Sequence, residues 1–396
     1  TIEPSPHRPE KAYFAAYRFL LGDWEPYIYR TDDYGKTWER LTDGSNGIPS
    51  DTPTRVIRED PDREGLLYSG TEFGMFISFD DGKRWQSFQL NLPVTPVTDI
   101  KVYRKDLVLS TMGRSFWICD DITPLNQLNK QNIDEKFILF IPRDAYRMRY
   151  RSFRRSPAEP EYPFPGVNID YYMYKKPDET VALEIKDLSG RMIRSFSNAS
   201  GGSRIRVRQG MNRFTWDMRC ELRGEDETDN QSRRRRRGPM VVPGKYQTTL
   251  TVGDWSQTVQ FNILMDPRVA ADGVTLADLK AQEHLSLEVL KLLGRARETA
   301  SRIKKELDLL KPKIKKGGHQ AQQAKKTEEK LAEIHAKLVR ASGPYPQPKI
   351  INQISYLYGM LDRADQKPGR DAYIRYDELN EALNQCLEEI DHTLSR

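Results

Sequence analysis

Acidic residues and arginines gather in the first third of the chain, where Asp60, Glu72, Asp99, Asp120 and Asp121 lie among Arg58 and Arg114. Two carboxyl groups placed across a sugar bond would hydrolyse it, one as acid and the other as base or nucleophile. No spacing singles out such a pair here. Sialidase-like recognition would need several arginines converging on a carboxylate, and Arg58 and Arg114 are single candidates. Glu72 in GTEFG and Arg114 in TMGRS hold related loop positions. They are candidates to face a common channel, although a salt bridge between neighbouring sheets is the simpler expectation.

Other chemistries find less support. The sequence has no GxSxG, no HExxH and no phosphate-binding glycine loop, so the signals for common nucleophilic, zinc or nucleotide chemistry are missing. Three cysteines, Cys119, Cys220 and Cys386, are far apart, and the five histidines are scattered. Neither a disulfide framework nor a metal site is expected, and no cofactor is implied.

The acids with the most regular surroundings belong to a repeated turn. Thr31, Asp33, Gly35 and Trp38 fit Ser/Thr-x-Asp-x-Gly-x-x-Trp, as do Ser78, Asp80, Gly82 and Trp85, with 47 residues between the two aspartates. A repeat of about 40–50 residues built from short strands is the signature of a propeller blade. Each residue has a structural task. Glycine takes positive φ without strain, aspartate accepts backbone N–H bonds, the hydroxyl adds another, and tryptophan returns to the sheet to bury its ring.

Stepping outward, strands are predicted at 12–17, 27–31 and 37–41, then 55–59, 66–70, 75–79 and 84–89, then 98–103, 107–111 and 115–119. The third unit ends in CDDITP, without the Gly and Trp, and has no fourth strand. Both motifs resemble the Asp-box, or bacterial neuraminidase repeat, of sialidase, glucanase and sortilin-like propellers. The longer stretch GLLYSGTEFGMFISFDDGKRWQSFQLNLPVTPVTDI, with DLVLSTMGRSFWICDD, is similar to the last blades of large bacterial sortilin-like propeller proteins, often labelled glycosyl hydrolases. That resemblance implies that residues 1–128 are the last two to three blades of a ring. So few cannot close one, so a protein partner, either a separate chain or a cleaved N-terminal part, is expected to supply the rest.

Residues 129–166, rich in proline, arginine and tyrosine, are expected to form an extended connector. Its RDAYRMRYRSFRR suits a strap over a domain surface better than a nucleic-acid grip. Period-two patterning at 168–174, 181–186, 192–197, 212–217, 244–252 and 257–264 predicts a sandwich over 167–267. It is similar to the immunoglobulin-like modules that follow bacterial surface propellers. A basic loop at 224–238, with Arg233, Arg234, Arg235, Arg236 and Arg237, interrupts it as a patch for an acidic partner or a mobile turn. From 275 to 396 the period becomes helical, giving hairpins capped by Thr275 with Asp278 and broken at Pro312 and Gly317-Gly318. These helices could extend a larger assembly.

With 30% charged and 37% hydrophobic residues and a net charge of +6, the chain lacks the apolar run of a membrane span. Nucleic acid is not an expected partner. Residues 1–14 do not read as a signal peptide, and the family resemblance implies an extracytoplasmic location. The reading is a mainly β, then α, multidomain interaction or assembly module without catalysis. The alternatives are a glycoside hydrolase whose catalytic residues lie mostly on absent blades, and a basic adaptor for an anionic polymer.

Overall fold

Short apolar runs punctuated by glycine build the first of two units, Thr1–Ile141, in the computed structural model. The structure describes residues 1–129, 135–149, 162–199, 204–222, 237–315, 317–340 and 346–395. In this first unit β1 (Ile2–Pro4), β2 (Ala12–Arg18), β3 (Asp23–Thr31) and β4 (Glu39–Arg40) form one antiparallel sheet in chain order. A second sheet repeats that order with β5 (Thr54–Glu59), β6 (Leu67–Thr71), β7 (Gly74–Ser78) and β8 (Gln86–Ser87). The third has three strands, β9 (Val97–Tyr103), β10 (Asp106–Thr111) and β11 (Phe116–Cys119). After it come the short helix α1 (Thr123–Gln127) and β12 (Phe137–Leu139).

The second sheet is buried on both sides. Successive side chains of a strand point to opposite faces, and here each face meets a different core. Ile57, Leu67 and Trp85 pack with Tyr13, Ala15 and Ile28 of the first sheet. Val56, Tyr68, Met75 and Ile77 pack with Val97, Ile100, Leu107 and Leu109 of the third. Such strands read as continuous apolar runs because neither face is wet. Gly70 is needed for the close approach, since a Cβ there would stand 2.6 Å from Val56 Cγ1 and 2.8 Å from Val97 Cγ1.

The second unit, Pro142–Arg396, holds both strands and helices. Its strands are β13 (Ala145–Arg147), β14 (Val167–Met173), β15 (Val181–Asp187), β16 (Met192–Ser197), β17 (Gly210–Trp216), β18 (Arg219–Glu221), β19 (Arg237–Met240), β20 (Gly244–Val252) and β21 (Trp255–Met265). A five-stranded sheet runs β13-β21-β20-β15-β16, while β14 pairs with β17 and β18 with β19. Fully buried Trp216 of β17 meets Tyr246 and Phe261 of the five-stranded sheet edge-on, at 6.1 and 6.3 Å. The segment expected as a connector contributes β13, which pairs parallel to β21. Of the basic loop, 224–236 lies outside the described residues, and Arg237 opens β19.

The helices are α2 (Pro267–Ala271), α3 (Leu276–Lys315), α4 (His319–Leu338), α5 (Ile350–Leu361) and α6 (Arg370–Leu394). Thr275 and Asp278 cap α3 reciprocally: Asp278 N donates to Thr275 Oγ1 (3.2 Å) and Thr275 N to Asp278 Oδ2 (3.0 Å). The helix runs through Pro312, contrary to the break expected there, and stops before Gly317 and Gly318, both at positive φ. Pro312 is exposed in the last turns, where a missing N–H leaves a carbonyl that water can reach. Leu293, Ile303, Leu331, Ile354, Leu383 and Ile390 join the four long helices in one core. Among the described residues no helix is long and apolar enough to cross a membrane.

Arginines of β13 and β18, with Arg149 just beyond β13, hold the α5–α6 loop. Arg147 of β13 is 2% exposed and reaches Asp365, which Arg149 also engages. Arg149 and Arg219 both bind Asp362. Gln282 of α3 donates to the carbonyls of Leu361 and Ala364 at 2.8 and 2.6 Å. Removing one member of a buried ion pair strands the other in low dielectric at a cost of about 3–5 kcal/mol. Asp365→Ala should therefore destabilise this unit by about 3 kcal/mol or more in urea denaturation. A change below about 1 kcal/mol would mean that Arg147 is held by something else.

Candidate interaction surface

Each hairpin tip spends its acid on its own backbone. In the first, Thr31 Oγ1 donates to Asp33 Oδ1 (2.8 Å) and accepts from Gly35 N (2.9 Å), while Thr37 N donates to Asp33 Oδ1 (2.9 Å). The second repeats this: Ser78 Oγ donates to Asp80 Oδ1, Gly82 N to Ser78 Oγ and Arg84 N to Asp80 Oδ1, each at 2.9 Å. Gly35 and Gly82 both have φ of 84°. The Thr37 hydroxyl and backbone N–H bonds draw the Asp33 carboxyl down to about 2. An acid so committed is a poor proton donor near neutrality.

The two tips differ in their tryptophans. Trp85 is 4% exposed, its Nε1 donating to the Leu41 carbonyl of the first sheet (3.3 Å). Trp38 is 42% exposed and lies edge-on to Phe14 at 4.8 Å, although burial is expected of it by its motif. The physical reason is coverage. The first sheet lies over Trp85, whereas no described sheet lies over Trp38.

Asp81, the second acid of the DDG tip, is the residue that sequence reasoning passed over. It takes φ of 62°, a region in which Asp is favoured among non-glycine residues. Its carboxylate receives Lys11 Nζ (2.9 Å), Arg30 Nη1 (2.8 Å) and Tyr13 Oη (2.6 Å), all from the first sheet and the loop before it. Lys11 is 2% exposed, and Tyr13 also donates to buried Glu59 (3.2 Å). Burial and these two acids push the Tyr13 phenol far above its ordinary range. The cluster joins sheet to sheet, with Asp81 held by three donors at once. Tyr34 takes the equivalent place in the first tip, so the repeat itself gave no signal for the cluster.

The remaining candidates have structural partners. Glu72 pairs with Arg55, whose guanidinium lies over the Tyr17 ring at 5.2 Å. Arg58 contacts Glu3 of the first sheet (3.4 Å) and Asp99 of the third (2.6 Å), bridging all three sheets. Asp60 accepts from the Tyr68 hydroxyl (2.9 Å), and Asp121 from Thr123 at the start of α1. No ion pair joins Glu72 to Arg114, whose carbonyl accepts from Trp117 Nε1 (2.9 Å). Arg233, Arg234, Arg235 and Arg236 lie outside the described residues, as does the side chain of Arg237.

Two sheet faces stay open. On the third sheet, Leu107, Leu109, Trp117 and Cys119 turn toward the second, leaving Phe116 and Ile118 on the other side at 78% and 59% exposure, beside exposed Tyr103. On the first, Trp38, Phe14, Tyr29 and Tyr27 form a ring ladder, with Phe14–Tyr29 stacked at 4.7 Å and Tyr27–Tyr29 at 6.4 Å. Exposed Ile2 lies opposite Phe14. On the third sheet, Phe116 and Ile118 share their face with exposed Asp99 and Lys101.

No family model and no curated protein matches the chain. Among solved structures, a GH74 enzyme of Niastella koreensis aligns with 37% of this chain and 24% of its own, at 12% identity and a TM-score of 0.26. The extracellular domain of a hybrid two-component system of B. thetaiotaomicron aligns with 60% of this chain and 28% of its own, at 12% identity and a TM-score of 0.21. The chain thus spans about a quarter of the length of these proteins. TM-scores this low do not define a shared fold.

Two outcomes follow from the tips. Asp81→Ala leaves Lys11 buried without its nearest anion and should cost about 3 kcal/mol in urea denaturation, against about 1 kcal/mol for Asp80→Ala, which loses turn bonds alone; equal costs would contradict the clamp. The depressed Asp33 carboxyl lends the first tip stability that is present above the unfolded carboxylate range and is lost as pH falls toward about 2. Protection of the Gly35 and Thr37 amides, relative to their intrinsic exchange at each pH, should fall over that interval, and Asp33→Asn should abolish the pH dependence.

Proposed function

We propose that this chain is a non-catalytic interaction and assembly module. In this reading its first unit is a run of Asp-box blades of a sortilin-like β-propeller, and the five-stranded sheet with the β14–β17 pair is an immunoglobulin-like sandwich. Further blades, contiguous with this sequence or bound in trans, complete the ring. The observation that carries the proposal is the contrast between Trp85 and Trp38: the same motif residue is sealed where the first sheet lies over it and half-exposed where no described sheet does. Repeated four-strand order, matching tips and open apolar faces at both ends of the stack support it. An extracytoplasmic location belongs to the same proposal.

A propeller hydrolase is the competing reading, and the candidate acids favour it least, because Asp60, Glu72, Asp81 and Asp99 each have a structural partner within the unit. The test is purification from the natural source, followed by light scattering and peptide mass spectrometry. The expected result is further β-rich sequence, contiguous or bound in trans, that dissociates when Ile118→Lys places a charge on the open face. A monodisperse lone chain with unaltered behaviour on that substitution would sink the proposal. Hydrolysis of a glycan panel by the intact material would favour the enzyme instead.

A further inference from the structure

A second feature lies wholly within Pro142–Arg396 and takes no part in sheet stacking. A cleft of about 840 Å³ opens beside β16, β17 and β18, within the range typical of small-molecule sites. Phe196 and Phe214, 4.5 Å apart and tilted at 57°, form an apolar wall with Trp216. Arg149, Arg194, Arg219 and Arg363 line the cleft against one lining carboxylate, Asp217.

These arginines are not equivalent. Asp362 and Asp365 take up Arg149, and Asp362 takes up Arg219. Arg194 lies 5.0 Å from the Phe196 ring centre and reaches Asp217 with Nη1 alone, at 3.2 Å. Asp217 shares that same oxygen with the Arg219 backbone N–H (3.2 Å). Arg194 Nε is buried with no hydrogen-bond partner. Exposed Arg363 has no ion pair among the described residues. A guanidinium fixed on an aromatic face offers a planar fork that suits a carboxylate.

We propose that this cleft binds a small carboxylate carried on a flat apolar body, with Arg194 and Arg363 holding the anion and the Phe196–Phe214 wall receiving the body. The occupant would set its carboxylate against exposed Arg363 and the Arg194 guanidinium edge on the aromatic wall, balancing a positive charge that no lining carboxylate but Asp217 offsets.

Calorimetry with 2-naphthoate and its uncharged isostere 2-naphthamide tests this on the full chain. The naphthoate should bind, with the amide at least about tenfold weaker, the value of one charge-assisted bond. Arg194→Met should lose about tenfold for naphthoate and leave the weak amide affinity unchanged, with the thermal transition monitored alongside. Should that variant fail to fold, exposed Arg363→Met gives the same comparison. Absence of naphthoate binding at millimolar concentration, equal affinity for the amide, or affinity unmoved by the substitution would each overturn the proposal.

Discussion

A β-sheet whose strands are apolar on both faces must be covered on both, and the first unit depends on that constraint. The central sheet meets it: consecutive residues such as Val56 and Ile57, or Leu67 and Tyr68, enter different cores. Burial of this kind is non-directional, so it brings sheets together without fixing their relative position. Directional contacts provide that. Lys11, Tyr13 and Arg30 close on Asp81 between the first two sheets, and Arg58 reaches Glu3 on one side and Asp99 on the other. Unlike the central sheet, the third alternates, with Asp99 and Lys101 on its other face beside exposed Phe116 and Ile118, and each outer sheet has one covered face among the described residues.

That constraint also explains what the acids do. A catalytic carboxylate has to reach a substrate and hold a proton at working pH. Here Asp33 and Asp80 are drawn into turn bonds, and Asp81 and Glu59 into a closed cluster. Asp99 and Glu72 are paired with arginines. The large apolar groups that the first unit leaves accessible include Phe116 and Ile118 on the third sheet and Trp38 at the end of a ring ladder on the first.

Local order was legible in the sequence. The period-two runs place β5, β15, β16 and β20 to within about two residues, and the tip motif gives the bonds of Ser78, Asp80 and Gly82, because those interactions lie within a few residues of one another. Contacts between distant segments were not legible. Asp81 meets Lys11 across 70 residues, and Arg149 meets Asp365 across 216, separations over which no periodicity carries information. β13 was hidden for a related reason: three residues in a proline-rich stretch become a strand only because β21 offers an edge. Trp38 shows the reverse limit, since its motif specifies a ring to be buried but not what should cover it.

The central claim is that both end faces of the three-sheet stack are covered in the working protein. Hydroxyl-radical footprinting addresses it directly, by comparing oxidation of Phe116, Ile118, Phe14 and Trp38 in material from the natural source with that in this chain produced alone. All four should be protected in the natural material and reactive in the isolated chain, with buried Trp85 and Met75 protected in both. Equal reactivity of Phe116 and Trp38 in the two samples would contradict it.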